Sequence, residues 1–168
     1  ITPPSIESLN KPLNIIISYD KSGSMMNAAN EKGNEVTKLF SKNDLGKHAV
    51  QIISKSLGPN DTLEIIGYDS IVRTILPRTY MTHEGQEKVK NAMNNVYPGG
   101  GTALWDGLKT AMDAAIKTEE QYGDTTVIMI TDGEPSQSPA EGEVEALRVY
   151  RKQKNNNCRL HTIGIGYE

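Results

Sequence analysis

The chain has 168 residues, 36% of them hydrophobic and 23% charged, which is enough for one ordinary core and leaves no room for a second domain. Its formal net charge of −3 and the lack of any dense Lys/Arg stretch exclude a broad electrostatic footprint for nucleic acid or anionic membrane. The single cysteine, Cys158, excludes a disulfide within the chain and a cysteine-held zinc, and no apolar run is long enough to span a bilayer.

Ile1-Thr2-Pro3-Pro4 has no basic-then-apolar signal pattern, which with the single thiol leans towards a cytoplasmic setting without assigning a compartment. Residues 1–12 read as a lead-in to one domain spanning 1–168. Leu13 to Tyr19 predicts the first strand, its near-continuous Leu13, Ile15, Ile16 and Ile17 suiting burial on both faces. The polar stretch from Met26 to Lys42 predicts an extended loop or partly helical insertion. A helix follows from Asp44, with Asp44 or Asn43 as its cap and Leu45, Ala49, Ile52 and Ile53 on its buried face, until Gly58-Pro59 stops it. Thr62 to Tyr68 and Ile71 to Leu76 then predict a hairpin turning at Asp69-Ser70.

Thr82 caps a helix with Val89, Ala92, Met93 and Val96 on one face, and Pro98-Gly99-Gly100-Gly101 separates it from a helix carrying Leu104, Leu108, Ala111 and Ala115. Thr125 to Thr131 is a strand, Glu141 to Lys152 a helix, and Leu160 to Ile165 a last strand, with Cys158 a half-buried thiol just before it. Short apolar runs alternating with helical periods predict an α/β class: a doubly wound, mostly parallel central sheet flanked by helices, with one antiparallel edge strand.

Asp20-Lys21-Ser22-Gly23-Ser24 leaves the carboxyl end of the first strand, where ligand sites of open α/β sheets lie. Thr102 follows the glycine run, and Asp132 ends the Thr125 to Thr131 strand. Two carboxylates and three hydroxyls on separate loops suit a hard cation, which takes oxygen ligands and keeps several waters.

Asp20-x-Ser22-x-Ser24, Thr102 after Gly99-Gly100-Gly101, and Thr131-Asp132-Gly133 together resemble the metal-ion-dependent adhesion site of the von Willebrand factor A family. Strand order and lengths extend the resemblance from Leu13 to Gly166, and Leu57 to Leu63 with Gly67 to Ser70 looks most like the family's intracellular and microbial branches. The resemblance implies a Rossmann-like fold and one bound divalent cation: Mg²⁺ is expected, with Mn²⁺ or Ca²⁺ as alternatives. It implies that Ser22, Ser24 and Thr102 bind the ion directly while Asp20 and Asp132 act mainly through ordered waters. Lys21 and Gly23 become loop-formers, Gly23 at a backbone angle other residues resist. The family continues past the equivalent of Tyr167-Glu168 into another strand and helix, whereas this chain stops after the strand over 160–166. A truncated or short domain is therefore expected, and switching is not carried over.

A lone Asp-x-Ser-x-Ser is common in turns, where it bonds backbone amides, so the weight rests on Thr102 and Asp132 joining it. The glycine run lacks the Gly-Lys-Ser/Thr ending of a phosphate loop. Asp106 is read as complementing a helix N-terminus, Glu134 as a solvated neighbour of Asp132, and Trp105 as packing. His48, His83 and His161 form no triad spacing with a carboxylate and a serine.

The expected function is metal-dependent protein recognition without catalysis, in which a partner's Asp or Glu carboxylate meets the ion, as one part of a larger multidomain protein. An alternative is a metal-dependent phosphohydrolase or phosphotransferase with Asp20 as nucleophile. Such enzymes place a second acid two residues on, and here that position is Ser22. Another alternative is a structural scaffold whose metal site stays empty.

Overall fold

The computed structural model describes residues 11–29, 39–133, 135–156 and 158–166. Its strands are β1 (Asn14–Asp20), β2 (Thr62–Tyr68), β3 (Val72–Tyr80), β4 (Thr125–Thr131) and β5 (Arg159–Gly164). Its α-helices are α1 (Lys42–Ser56), α2 (His83–Asn94), α3 (Leu104–Tyr122) and α4 (Glu143–Lys154), and a 3-10 turn occupies Gly23–Met26. The sheet order is β3-β2-β1-β4-β5, with β1, β2, β4 and β5 parallel and β3 antiparallel at one edge. This is the doubly wound, mostly parallel sheet that the apolar pattern predicts. The carboxyl ends of the parallel strands all meet one edge of the molecule.

Successive β1 side chains alternate between two apolar layers, as the pleat requires. Ile17 and Tyr19 join Val50 of α1 and Val89 and Met93 of α2, while Ile16 joins Leu108, Ala111, Met112 and Ala115 of α3 and Tyr150 of α4. Helices on both faces therefore bury all of β1 except the partly exposed Ile15, and its apolar Ile15, Ile16, Ile17 and Tyr19 are joined by the buried polar residues Asn14, Ser18 and Asp20. Among the described residues, no helix is long and apolar enough to cross a membrane.

Several boundaries differ from the sequence expectation for identifiable reasons. The cap of α1 is Ser41, not Asp44 or Asn43: its hydroxyl accepts from the Asp44 amide while the Asp44 carboxylate accepts from the Ser41 amide, a reciprocal capping box. Its buried face matches the predicted one only in part: Ala49 and Ile53 pack against the core, but Leu45 is 43% and Ile52 56% exposed. Asn43, Gly46, Val50 and Ser54 face inward instead. A Cβ at Gly46 would lie 2.6 Å from the Tyr19 hydroxyl, which donates to Asn43 Oδ1 at 2.9 Å. Glycine and a hydrogen-bonded Asn thus occupy a packed face that apolarity alone cannot reveal.

Strand β3 runs past Leu76 through Pro77 to Tyr80, because an edge strand can present a residue without an N–H on its open side, and bulges adjust its register with β2. Helix α4 and strand β5 start within two residues of the predicted positions. Cys158 is 2% exposed rather than half-buried, and burial raises its thiol pKa. Trp105 packs edge-on against Tyr150 at 6.4 Å between ring centroids. Asp106 lies in the first turn of α3, and the three histidines lie exposed on α1, α2 and β5. Residues 1–10 of the lead-in, 30–38 of the polar stretch, and Glu134 lie outside the described residues.

Candidate metal centre

The parallel register determines which side chains meet at the sheet's carboxyl edge. Tyr19 pairs with Ile130 across β1 and β4, so the next residues, Asp20 and Thr131, stand opposite one another. The Thr131 hydroxyl donates to Asp20 Oδ2 at 2.8 Å, and the Ser22 amide donates to Asp20 Oδ1 at 2.9 Å. Asp20 is fully buried, yet no Lys or Arg among the described residues is ion-paired with it. Burial is the main influence on its carboxyl and raises the pKa; the bonds from Ser22 and Thr131 oppose this, and the nearby Asp132 charge adds to the rise.

From Asp20 a line of oxygens leads outward. Ser22 Oγ lies 3.0 Å from Ser24 Oγ, and the Ser24 hydroxyl donates to Asp132 Oδ1 at 3.0 Å. Ser22 is buried and Ser24 exposed, so the line passes from the interior to the surface. Four of the five predicted residues are joined by these contacts. Thr102 is buried beside them on the loop before α3, and it is tied in through backbone. The Gly23 amide donates to the Gly100 carbonyl at 3.1 Å and the Gly99 amide to the Lys21 carbonyl at 2.8 Å. Two serines brace the same loop: Ser70 Oγ accepts from the Gly101 amide and Ser136 Oγ from the Thr102 amide.

The glycine roles differ from expectation. Positive φ belongs to Gly100, at 74°, and Gly133, at 121°, rather than to Gly23, where an added Cβ would meet the Gly100 carbonyl at 3.3 Å. Lys21 also does more than shape a loop, because it pairs with Asp69. Lys42 was not singled out as a site residue, yet its ammonium reaches Asp132 Oδ2 at 3.1 Å. No local signal marks it: it is one polar residue in a polar stretch, brought to Asp132 by the packing of the α1 N-terminus. Tyr68, opposite Asp20 in the β1–β2 register, has a buried hydroxyl with no hydrogen bond of good geometry among the described residues. Burial and the Asp20 charge raise its pKa far above the ordinary phenol range.

The donor atoms fit a hard divalent cation. Every one is oxygen; Ser22, Ser24 and Asp132 form a contiguous line beside a buried carboxylate lacking a cationic partner among the described residues, and hydroxyls outnumber carboxylates. Among the described residues no group of three or more His, Cys, Asp or Glu gathers as a metal cluster, so the arrangement does not suit a soft metal or a carboxylate cage.

Comparison with known proteins agrees with this architecture. A family model described as the von Willebrand factor type A domain matches residues 15–134. The inter-alpha-trypsin inhibitor heavy chain H4 of Bos taurus is 26% identical over 175 residues, which takes in 99% of this chain and 17% of that protein. The chain thus spans less than a fifth of that relative's length. The PilB minor pilin of Streptococcus sanguinis superimposes with a TM-score of 0.62 at 20% identity, over 73% of this chain and 30% of the pilin chain. A manganese-loaded TRAP protein of Plasmodium vivax superimposes with a TM-score of 0.54 at 22% identity, over 93% of this chain and 57% of that one.

Proposed function

Because the chain belongs to the von Willebrand factor type A domain family, we propose that it is a non-enzymatic recognition module whose grip on a partner protein depends on a divalent cation, Mg²⁺ before Mn²⁺ or Ca²⁺. The observation that carries this reading is Asp20: a fully buried carboxylate at the head of a line of hydroxyls that opens to solvent at Ser24. A charge held in that position costs several kcal/mol (on the order of 3–5) unless something cationic compensates it.

Ser22, Ser24 and Thr102 would be the direct oxygen donors, and Asp20 and Asp132 would hold ordered waters. Because the direct donors are neutral, the ion keeps most of its charge and supplies an electrophilic position for an outside carboxylate. The chain's own part is to pre-arrange the donors. Thr131 and the Ser22 amide orient Asp20, and Ser136 and Ser70 fix the loop that carries Thr102. A partner with an exposed Asp, Glu or C-terminal carboxylate fits this face. The pilin and manganese-loaded relatives support a role in protein contact and metal binding as one module of a longer protein.

Calorimetric titration with Mg²⁺ and Mn²⁺ tests the reading. Wild type should take up one ion and melt higher in metal than in chelator, by about 1.4 kcal/mol at tenfold excess over Kd. Asp20→Ala and Thr102→Ala should lose that response, and affinity capture from the native source should lose its protein partners on chelation. Uptake by none of the chains at several mM metal, or capture indifferent to chelator, would sink it.

A further inference from the structure

From its contact with Asp132, we infer that Lys42 is a tethered rival of the divalent ion: an internal cation that neutralises Asp132 and keeps the metal affinity of the site low. The inference rests on the metal-dependent reading above. Its starting point is that the two oxygens of Asp132 are divided between competing neighbours. Oδ1 accepts from Ser24, within the proposed donor line, and Oδ2 accepts from the Lys42 ammonium at 3.1 Å. The Asp132 side chain is only 4% exposed and that of Lys42 21%, so water screens the pair poorly.

Local structure gives Lys42 little other reason to be cationic. It is the first residue of α1, where the helix dipole disfavours positive charge and where Asp44 already closes the capping box. Its position is nevertheless well determined. The Lys42 amide donates to the Asn27 carbonyl at 2.9 Å, and its stem lies against Gly166, where an added Cβ would meet Lys42 Cε at 2.8 Å. Lys21, the other lysine near the loops, is committed to Asp69. Among the described residues Lys42 is therefore the one cation paired with the five proposed site residues.

Two consequences follow from charge alone. A divalent ion approaching Ser22 and Ser24 meets an Asp132 whose charge is already offset, and it meets the ammonium itself; both lower its affinity. When no ion is bound, the ammonium keeps Asp132 from being a second buried, uncompensated charge beside Asp20, which limits the stability the domain loses without metal. Such a site loads and unloads reversibly instead of holding its ion as permanent structure.

The test compares wild type, Lys42→Gln and Lys42→Arg by calorimetric titration with Mg²⁺ and Mn²⁺, and by melting in chelator and in saturating metal. Lys42→Gln should bind either ion about tenfold more tightly, equivalent to about 1.4 kcal/mol. It should melt below wild type in chelator, and metal should close that gap. Lys42→Arg keeps the charge and should bind no more tightly than wild type. If the amide variant does not fold, Lys42→Met repeats the measurement with the stem preserved. Unchanged or weaker affinity in the neutral variants, with the same melting deficit in chelator and metal, would make Lys42 merely structural and overturn the inference. Failure of every chain, wild type included, to bind either ion would overturn the metal reading and this inference with it. Binding by the neutral variant alone would support both.

Discussion

Strand β1 buries a polar residue at each end, and the two ends solve the problem differently. At the amino end, Asn14 is 2% exposed and neutral. Its amide donates to the carbonyls of Tyr122 and Asp124 at 3.2 and 3.3 Å, and its oxygen accepts from the Thr62 hydroxyl at 2.8 Å. Donors and acceptor are all engaged, so that end is complete by itself. At the carboxyl end, Asp20 is as deeply buried and well hydrogen-bonded but keeps a charge with no ion-pair partner among the described residues, and Tyr68 beside it has an unengaged hydroxyl. Burial of a polar group at the sheet edge therefore does not mark a site. Burial of an uncompensated charge does.

The sharpest way to break this contrast is to exchange the two chemistries with near-isosteric substitutions. Asn14→Asp places a charge where every hydrogen-bonding partner is a neutral carbonyl or hydroxyl and should cost about 3–5 kcal/mol in denaturant unfolding at neutral pH, with no rescue by Mg²⁺. Recovery of that loss by metal would mean that the amino end can also hold a cation. A smaller loss is expected from Thr131→Val, which takes a donor from the Asp20 carboxylate: about 2–3 kcal/mol in chelator, with a weakened thermal response to Mg²⁺. The matching change at the other end, Thr62→Val, leaves the Asn14 oxygen unsatisfied and should cost about 1–2 kcal/mol while the Mg²⁺ response stays whole. Equal damage to the metal response by both valine variants would erase the distinction between the ends.

The smallest effect belongs to the exposed polar pair that starts α1. Ser41→Ala should cost about 1 kcal/mol at neutral pH. The hydroxyl and amide bonds from Ser41 lower the pKa of the Asp44 carboxyl, so their contribution is present above the ordinary Asp pKa and fades as pH falls through the depressed one. Melts of wild type and Ser41→Ala should accordingly converge towards strong acid. A gap that widens on acidification would show that Asp44 is not the partner.

The layer order was legible without coordinates, as were the oxygen-bearing residues proposed for the site, because both are carried by short-range pattern. Short apolar runs and helical apolar spacing place β1, β2, β4, α2 and α3 almost where they are found, and three loop motifs indicate Asp20, Ser22, Ser24, Thr102 and Asp132. The buried face of α1 was legible only at Ala49 and Ile53, since Asn43 and Gly46 pack inward through a tyrosine hydroxyl and a missing Cβ while Leu45 and Ile52 stay outside. Neither was the extension of β3 through Pro77, which only its place at the sheet edge allows. By itself, then, the sequence determined which residues are strand and helix and which side chains are proposed as oxygen donors, because backbone preference and side-chain chemistry act within a few positions. Tertiary structure alone decided that Thr131 would face Asp20, that Gly23 would bond to Gly100, and that Lys42 would reach Asp132 across 90 residues of chain. Those contacts depend on strand register and on where helix ends are packed, and no local pattern encodes the charge balance of a site assembled from distant loops.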